Sequence, residues 1–210
     1  VDNFGNISSN NEYDNKIHSV FVQILNISAE QSVKIASSKN GFYSNPMIKI
    51  PFPKSVINLK SKLVTLGLKK QIEEFEYKIN IAAEKASKQA VNIFILEINN
   101  LKMNDVKKII NSDKGQATKY FKNICYVNLY NSFLPIVTQN LNNEKASMIW
   151  SSLLKRYNNI PFVKKIEFDL YDYVTQKAID GIFVLMAENE KNIRLNPKES
   201  KSDIIINFFN

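Results

Sequence analysis

Histidine and cysteine each occur once in this 210-residue chain, as His18 and Cys125, and its five glycines stand singly. A lone cysteine excludes an internal disulfide and a thiolate metal cluster. Its neighbours Ile124, Tyr126 and Val127 mark it as a buried, inert thiol. A lone histidine excludes the paired Glu-x-x-His motifs of a helical di-metal site. No Gly-x-Ser-x-Gly elbow is present to make His18 a hydrolytic base, so it reads as a helix-surface residue. Scattered glycines also exclude a phosphate-cradling loop. Long apolar runs are missing: Gly181 to Ala187 is far short of a bilayer span. Arginine is scarce too. Of 28 basic residues only Arg156 and Arg194 are arginines, so the net charge of +8 is a lysine charge. Gripping phosphates and reading bases favours arginine forks, which argues against a nucleic-acid partner. The chain shows no amino-terminal export signal, but it begins Val1-Asp2-Asn3, which leaves a removed signal open.

Proline is missing where a helix most needs it to be. From Pro53 to Pro135 there is none between, and only Gly67 and Gly115 interrupt the span. Within it Lys69 to Asn100 reads as one long helix, with Ile72, Phe75, Ile79, Ala82, Ala86, Ala90 and Ile93 stepping by three and four. A second stripe of Tyr77, Ile81, Val91, Ile95 and Ile98 makes it apolar on two sides, as a central helix is. An earlier helix is expected from near Asp14 to Ser37, with Ile17, Phe21, Ile24, Ala29 and Val33 inward and Asn40-Gly41 as its stop. Residues 1–12, rich in Asn and Ser, read as disordered.

Phe42 to Pro53 carries Pro46, Pro51 and Pro53 and reads as an extended connection whose alternating Ile48, Ile50 and Phe52 lie against helices. Ser55 to Leu66 forms a short helix, with Gly67 as its left-handed cap. A short helix over Asn104 to Asn111 and a turn through Ser112, Asp113 and Gly115 come next. Gln116 to Asn142 then forms one helix bent at Pro135, or two. Glu144 to Tyr157 and Leu170 to Arg194 are further helices, separated by a loop containing Pro161, and Ile204 to Phe209 is a last short one. The expectation is all-α: a single-domain bundle over residues 13–210, of about eight helices around one long central helix.

Chemistry is left to polar groups in apolar surroundings. Asn80 and Glu84 share the second stripe one turn apart, and Asp180 is the lone charge between Ala178 and Ala187. Lys177 and Glu188 lie on that last long helix too. A buried carboxylate without a partner costs roughly 3–5 kcal/mol. These acids must be answered, and Lys177, Arg194, Thr118 and Tyr120 are the available groups. The arrangement is either an internal polar network that fixes helix register or the polar floor of a ligand pocket. A catalytic carboxylate pair is the third option, with no spacing to support it. Glu190 and Arg194, four apart, read as an ordinary helix ion pair.

The runs Asn40-Gly41-Phe42, Ile50-Pro51-Phe52-Pro53 and Asn80-Ile81-Ala82-Ala83-Glu84 resemble the bacterial DUF4197 family, a domain of unknown function. So do Ala117-Thr118-Lys119-Tyr120-Phe121, Leu134-Pro135-Ile136-Val137 and the series from Asp172 and Tyr173 through Lys177 to Asp180-Gly181. The resemblance covers about Asn40 to Phe209 and departs from the family pattern at Ile81, at Gln176 and across residues 143–169. It implies a bacterial protein of the periplasm or tethered to the outer membrane, with no catalytic residue to carry over. The functional expectation is a non-catalytic envelope protein without metal or cofactor. Its partner would be another envelope protein or a small apolar ligand. Alternatives are a carrier of a lipid-like ligand between helices and a carboxylate-dependent hydrolase.

Overall fold

A computed structural model describes residues 4–102 and 116–209, with side chains from residue 12 onward. The fold is all-α: seven α-helices and two short 3-10 segments, with no strand among the described residues. They are α1 (Phe4–Ala36), α2 (Ile57–Thr65), α3 (Lys69–Asn99), α4 (Gln116–Asn143), α5 (Ala146–Asn158), α6 (Leu170–Leu195) and α7 (Asp203–Phe209). The expected helix over 104–111 and the turn after it lie outside the described residues. The amino-terminal segment read as disordered is helical from Phe4. Nothing between there and Asp14 is proline, so α1 continues backward past its last core residue.

Contacts group the chain into two compact units. One comprises Val1–Val33, Val91–Leu129 and Ile182–Asn210, and the other Lys34–Ala90 and Tyr130–Gly181. In the first unit Phe94, Phe121 and Phe183 form an aromatic core with ring centroids 5.4–6.1 Å apart. Phe21 joins from α1 through Tyr120, edge to face at 6.5 Å. In the second unit Trp150 stacks on Phe75 at 5.1 Å and meets Phe52 and Phe168 at 5.8 and 5.3 Å. Burial of such rings is the main stabilising contribution in each unit.

Helix ends show how the turns were written. At the end of α2 the Leu68 N–H donates to the Leu63 carbonyl at 3.0 Å and the Gly67 N–H to Val64 at 2.9 Å. Gly67 has φ +79°, so this is the two-bond left-handed cap read from its position. After α1, Asn40, not Gly41, takes the left-handed conformation, at φ 59°. Gly41 is required for space: a Cβ there would lie 2.3 Å from the Ile35 carbonyl oxygen and 2.6 Å from that of Ala36. Backbone cannot yield to such an overlap.

The connection from residue 42 to 53 is extended only in its second half. Ser44, Asn45, Ile48 and Lys49 all donate to carbonyls three or four residues back, so the first half coils through successive turns. The alternation holds: Ile48, Ile50 and Phe52 are buried while Met47, Lys49 and Pro51 are exposed. Gly181 on α6 receives this strap, with Phe42 Cε1 and Ile48 Cβ at 3.1 and 3.2 Å from where a Cβ would stand. Pro135 lies inside one continuous α4. On α3 the first stripe is buried from Ile72 to Ala90, with Phe94 rather than Ile93 continuing it. The second stripe is more open: Tyr77 is exposed, Ile81, Val91 and Ile95 are half-buried, and Ile98 is buried.

Candidate functional site

The predicted polar residues separate into two structural clamps, the buried Glu84, and a remainder that is half-buried or exposed. The first clamp holds the strap. Asn80 is fully buried; its Oδ1 accepts the Ile50 N–H at 2.8 Å and its Nδ2 donates to the carbonyls of Ile50 and Glu76, at 2.8 and 2.7 Å. One amide thus satisfies both backbone groups of a residue that no strand or helix serves. Tyr173 on α6 donates its hydroxyl to the Pro51 carbonyl at 2.9 Å. Burial, then the nearby Glu76 charge, pushes that phenol up to about 12.

The second clamp sits at the start of α4, in the other unit. Glu190 has no exposed surface, and its carboxylate accepts the Ala117 N–H at 3.1 Å and both the Thr118 N–H and hydroxyl at 2.7 Å. Arg194 Nη2 lies 2.7 Å from Oε1, the oxygen that also accepts the Ala117 N–H, with the guanidinium 5.9 Å from the Phe209 ring. The pair read as an ordinary helix ion pair is therefore a buried anchor, and Thr118 and Arg194 answer Glu190. The i, i+4 spacing gave no sign of this, because burial depends on what packs over α6. A carboxylate at a helix N-terminus meets unpaired N–H groups and the positive end of the dipole.

Glu84 is 9% exposed, and its Oε2 is buried without a hydrogen-bond partner. Loss of solvent raises its pKa, opposed by the backbone N–H groups of Gly41 and Asn40 and by Lys88 and Lys85. Ionisation of Glu84 therefore opposes folding. Its contribution is full below the ordinary carboxylate pKa and is lost as pH rises through the raised folded-state value. Glu84→Gln cannot ionise. In urea melts from about pH 4 to 8 it should gain on the parent as pH rises. A gap that stays constant would show that the buried charge carries no penalty.

The remaining predicted residues stand elsewhere. Lys177 and Glu188 are exposed, with Glu188 4.0 Å from Lys191. Asp180 and Tyr120 are half-buried. The charges that lower the Glu84 pKa are Lys88 and Lys85. Sequence reasoning missed Glu144, which Lys85 and Lys78 of α3 grip together, Lys78 at 3.3 Å. The Lys85 hydrogen bond holds its carboxyl below the ordinary range, outweighing partial burial, with Lys78 adding to it. The seven-residue spacing of those lysines, two turns on one face, was the available signal.

His18 is half-buried, with Nε2 3.2 Å from the Leu101 carbonyl oxygen. Cys125 is buried, and desolvation followed by Glu97 pushes its thiol up to about 12. Among the described residues no group of three or more His, Cys, Asp or Glu could hold a metal ion, and no helix is long and apolar enough to cross a membrane.

The surface offers more. Two open hollows, of about 590 and 490 Å³, share Glu167 and Phe168 in the segment after α5. Tyr157 and Lys164 line the first, Trp150 and Tyr171 the second. Smaller hollows of about 390 and 290 Å³ lie beside Cys125 and His18. None of these four is lined by Glu84 or Asp180. Between α5 and α6 the loop 159–169 carries Phe162, whose relative exposure is 107% and whose φ is +63°. A bulky residue in that backbone region is uncommon.

Taken together these are the traits of an all-α protein whose buried acids are set against its own backbone N–H groups and basic side chains. The chain belongs to the family described as protein of unknown function DUF4197, whose family model matches residues 12–210. No curated protein and no solved structure matches it.

Proposed function

We propose that this protein acts by binding, without catalysis, at the bacterial envelope, through the face built on loop 159–169. The observation that carries the reading is Phe162, an apolar side chain wholly in solvent on a left-handed backbone. That conformation costs about 1–2 kcal/mol. Strain of this kind collects at recognition and switch points. The absence of catalysis is supported by the employment of the acids: Glu190 caps α4, Glu144 pairs with two lysines, and Glu84 backs onto the turn at Asn40 and Gly41. A hydrolase built on Glu84 and Asp180 gains no support from that arrangement. Placement at the envelope rests on what the family resemblance implies. The alternative of a carrier for a small or lipid-like ligand draws on the two hollows beside the loop rather than on those acids.

A photo-crosslinking phenylalanine analogue at position 162, activated in bacterial cells, tests the reading. A discrete adduct is expected there and not from the same analogue at Val127, which is also exposed. Equal yields at the two positions would remove loop 159–169 as the binding face.

A further inference from the structure

We infer that loop 159–169 is a peripheral anchor for an anionic lipid surface, with Phe162 as the inserted group and a lysine-arginine collar around it. This rests on the reading of the loop as the binding face and names its partner. The loop closes at its base. The Ile160 N–H donates to the Tyr157 carbonyl at 3.0 Å, and the Ile166 N–H to Asn158 Oδ1 at 3.3 Å. What projects beyond those bonds is Pro161-Phe162-Val163-Lys164-Lys165, of which all but the half-buried Val163 are exposed. Lys155 and Arg156, on the last turn of α5 just before the loop, are exposed as well.

The projecting tip therefore carries apolar Pro161 and Phe162 and two cations, with two more cations at its foot. Acids enter only on the return: Glu167 is exposed, and Asp169 accepts the Asp172 N–H at 2.9 Å, which ties it to the start of α6. An aromatic ring ahead of a basic collar suits the bilayer interface, where rings settle at headgroup depth and lysines meet anionic phosphates. A protein groove would take the ring equally well, but charge complementarity decides for the lipid. Lys155, Arg156, Lys164 and Lys165 are all exposed, and four cations within this short stretch suit an anionic surface.

The test uses the full chain and vesicles of equal parts phosphatidylethanolamine and phosphatidylglycerol, with phosphatidylcholine vesicles as the neutral control. Flotation should show binding to the anionic vesicles that weakens with added salt, and little binding to the neutral ones. Phe162→Ser should lose about tenfold or more in partitioning, and Lys164→Gln and Lys165→Gln roughly fivefold each. Phe162 buries nothing, so the serine variant should keep its melting temperature, which separates lost binding from lost fold. Phe162→Trp gives a direct readout. The chain's one tryptophan, Trp150, is already 4% exposed, so a blue shift on adding vesicles would report position 162. Failure of the parent chain to float with anionic vesicles, or equal flotation by Phe162→Ser, would overturn the inference. If the crosslinker at 162 then captures a protein, the loop remains the binding face and only the lipid assignment falls.

Discussion

Glu190→Ala should destabilise the fold by roughly 3–5 kcal/mol, the loss seen when one member of a buried ion pair is removed. Two things are lost together. Arg194 loses its buried carboxylate, and Ala117 and Thr118 lose the acceptor for their N–H groups. Those N–H groups lie in the first described turn of α4, and both donate to this one carboxylate. Glu190→Gln keeps one amide oxygen as acceptor and should lose less. Thr118→Val removes a single hydroxyl bond while leaving the backbone N–H groups served, and should cost about 1 kcal/mol. Urea unfolding of the three variants checks the order. A Glu190→Ala loss no larger than that of Thr118→Val would mean that the carboxylate is not what anchors α4.

Asn80→Leu should be nearly as damaging, at roughly 2–5 kcal/mol. Leucine fits the volume but leaves the Ile50 N–H and carbonyl buried without partners, since Asn80 serves both. Asn80→Asp makes a sharper comparison. Its carboxylate would still accept from Ile50 N–H but would face the carbonyls of Ile50 and Glu76, so the protonated form is favoured in the fold. Stability of the Asp variant should therefore be greatest below about pH 4, the ordinary aspartate range, and fall as pH rises through the raised folded value. The Leu variant should show no such added pH dependence. Hydrogen exchange at the Ile50 amide reads the clamp directly: faster exchange is expected in the Leu variant. An unchanged rate would show that the strap holds without Asn80.

Much of the architecture was legible because it follows from periodicity and punctuation. Lys69 to Asn100 was read as one helix and is α3, ending at Asn99. The Leu170 helix runs to Leu195, one residue past the expected Arg194, and Gly67 caps α2 as its position required. The strap's alternation was also readable, since burial every second residue is written in Ile48, Ile50 and Phe52. Its coiled first half was not, because the turns at Asn40 and Asn45 are made by asparagines that occur throughout the chain.

For the polar residues, composition located Asn80 and Glu84 as inward-facing, and both are. It could not assign partners. Thr118 and Arg194 stand among the candidate partners, but Glu190 sits in an i, i+4 pair with Arg194 that looks like any exposed one. The sequence gives no sign that Thr118 joins that pair. Whether such a pair is wet or dry is decided by residues distant in sequence, here Ala117 and Thr118, 73 and 72 positions away. Phe162 escaped notice for the opposite reason. A phenylalanine among Ile160, Pro161 and Val163 looks like core, and only its surroundings in space leave it outside.

The way the strap is held has a consequence for how the molecule behaves in a crowded solution. Ile48, Ile50 and Phe52 alternate as a strand does, and an unpaired apolar strand is a template on which other chains add and aggregate. Here the hydrogen-bonding groups of Ile50 are already taken by a side chain, Tyr173 occupies the carbonyl of Pro51, and the two flanking prolines have no N–H to offer. Around Ile50 and Pro51 the segment therefore has no backbone group left for another chain to pair with, which guards a strand-like sequence in a helical protein against amyloid growth.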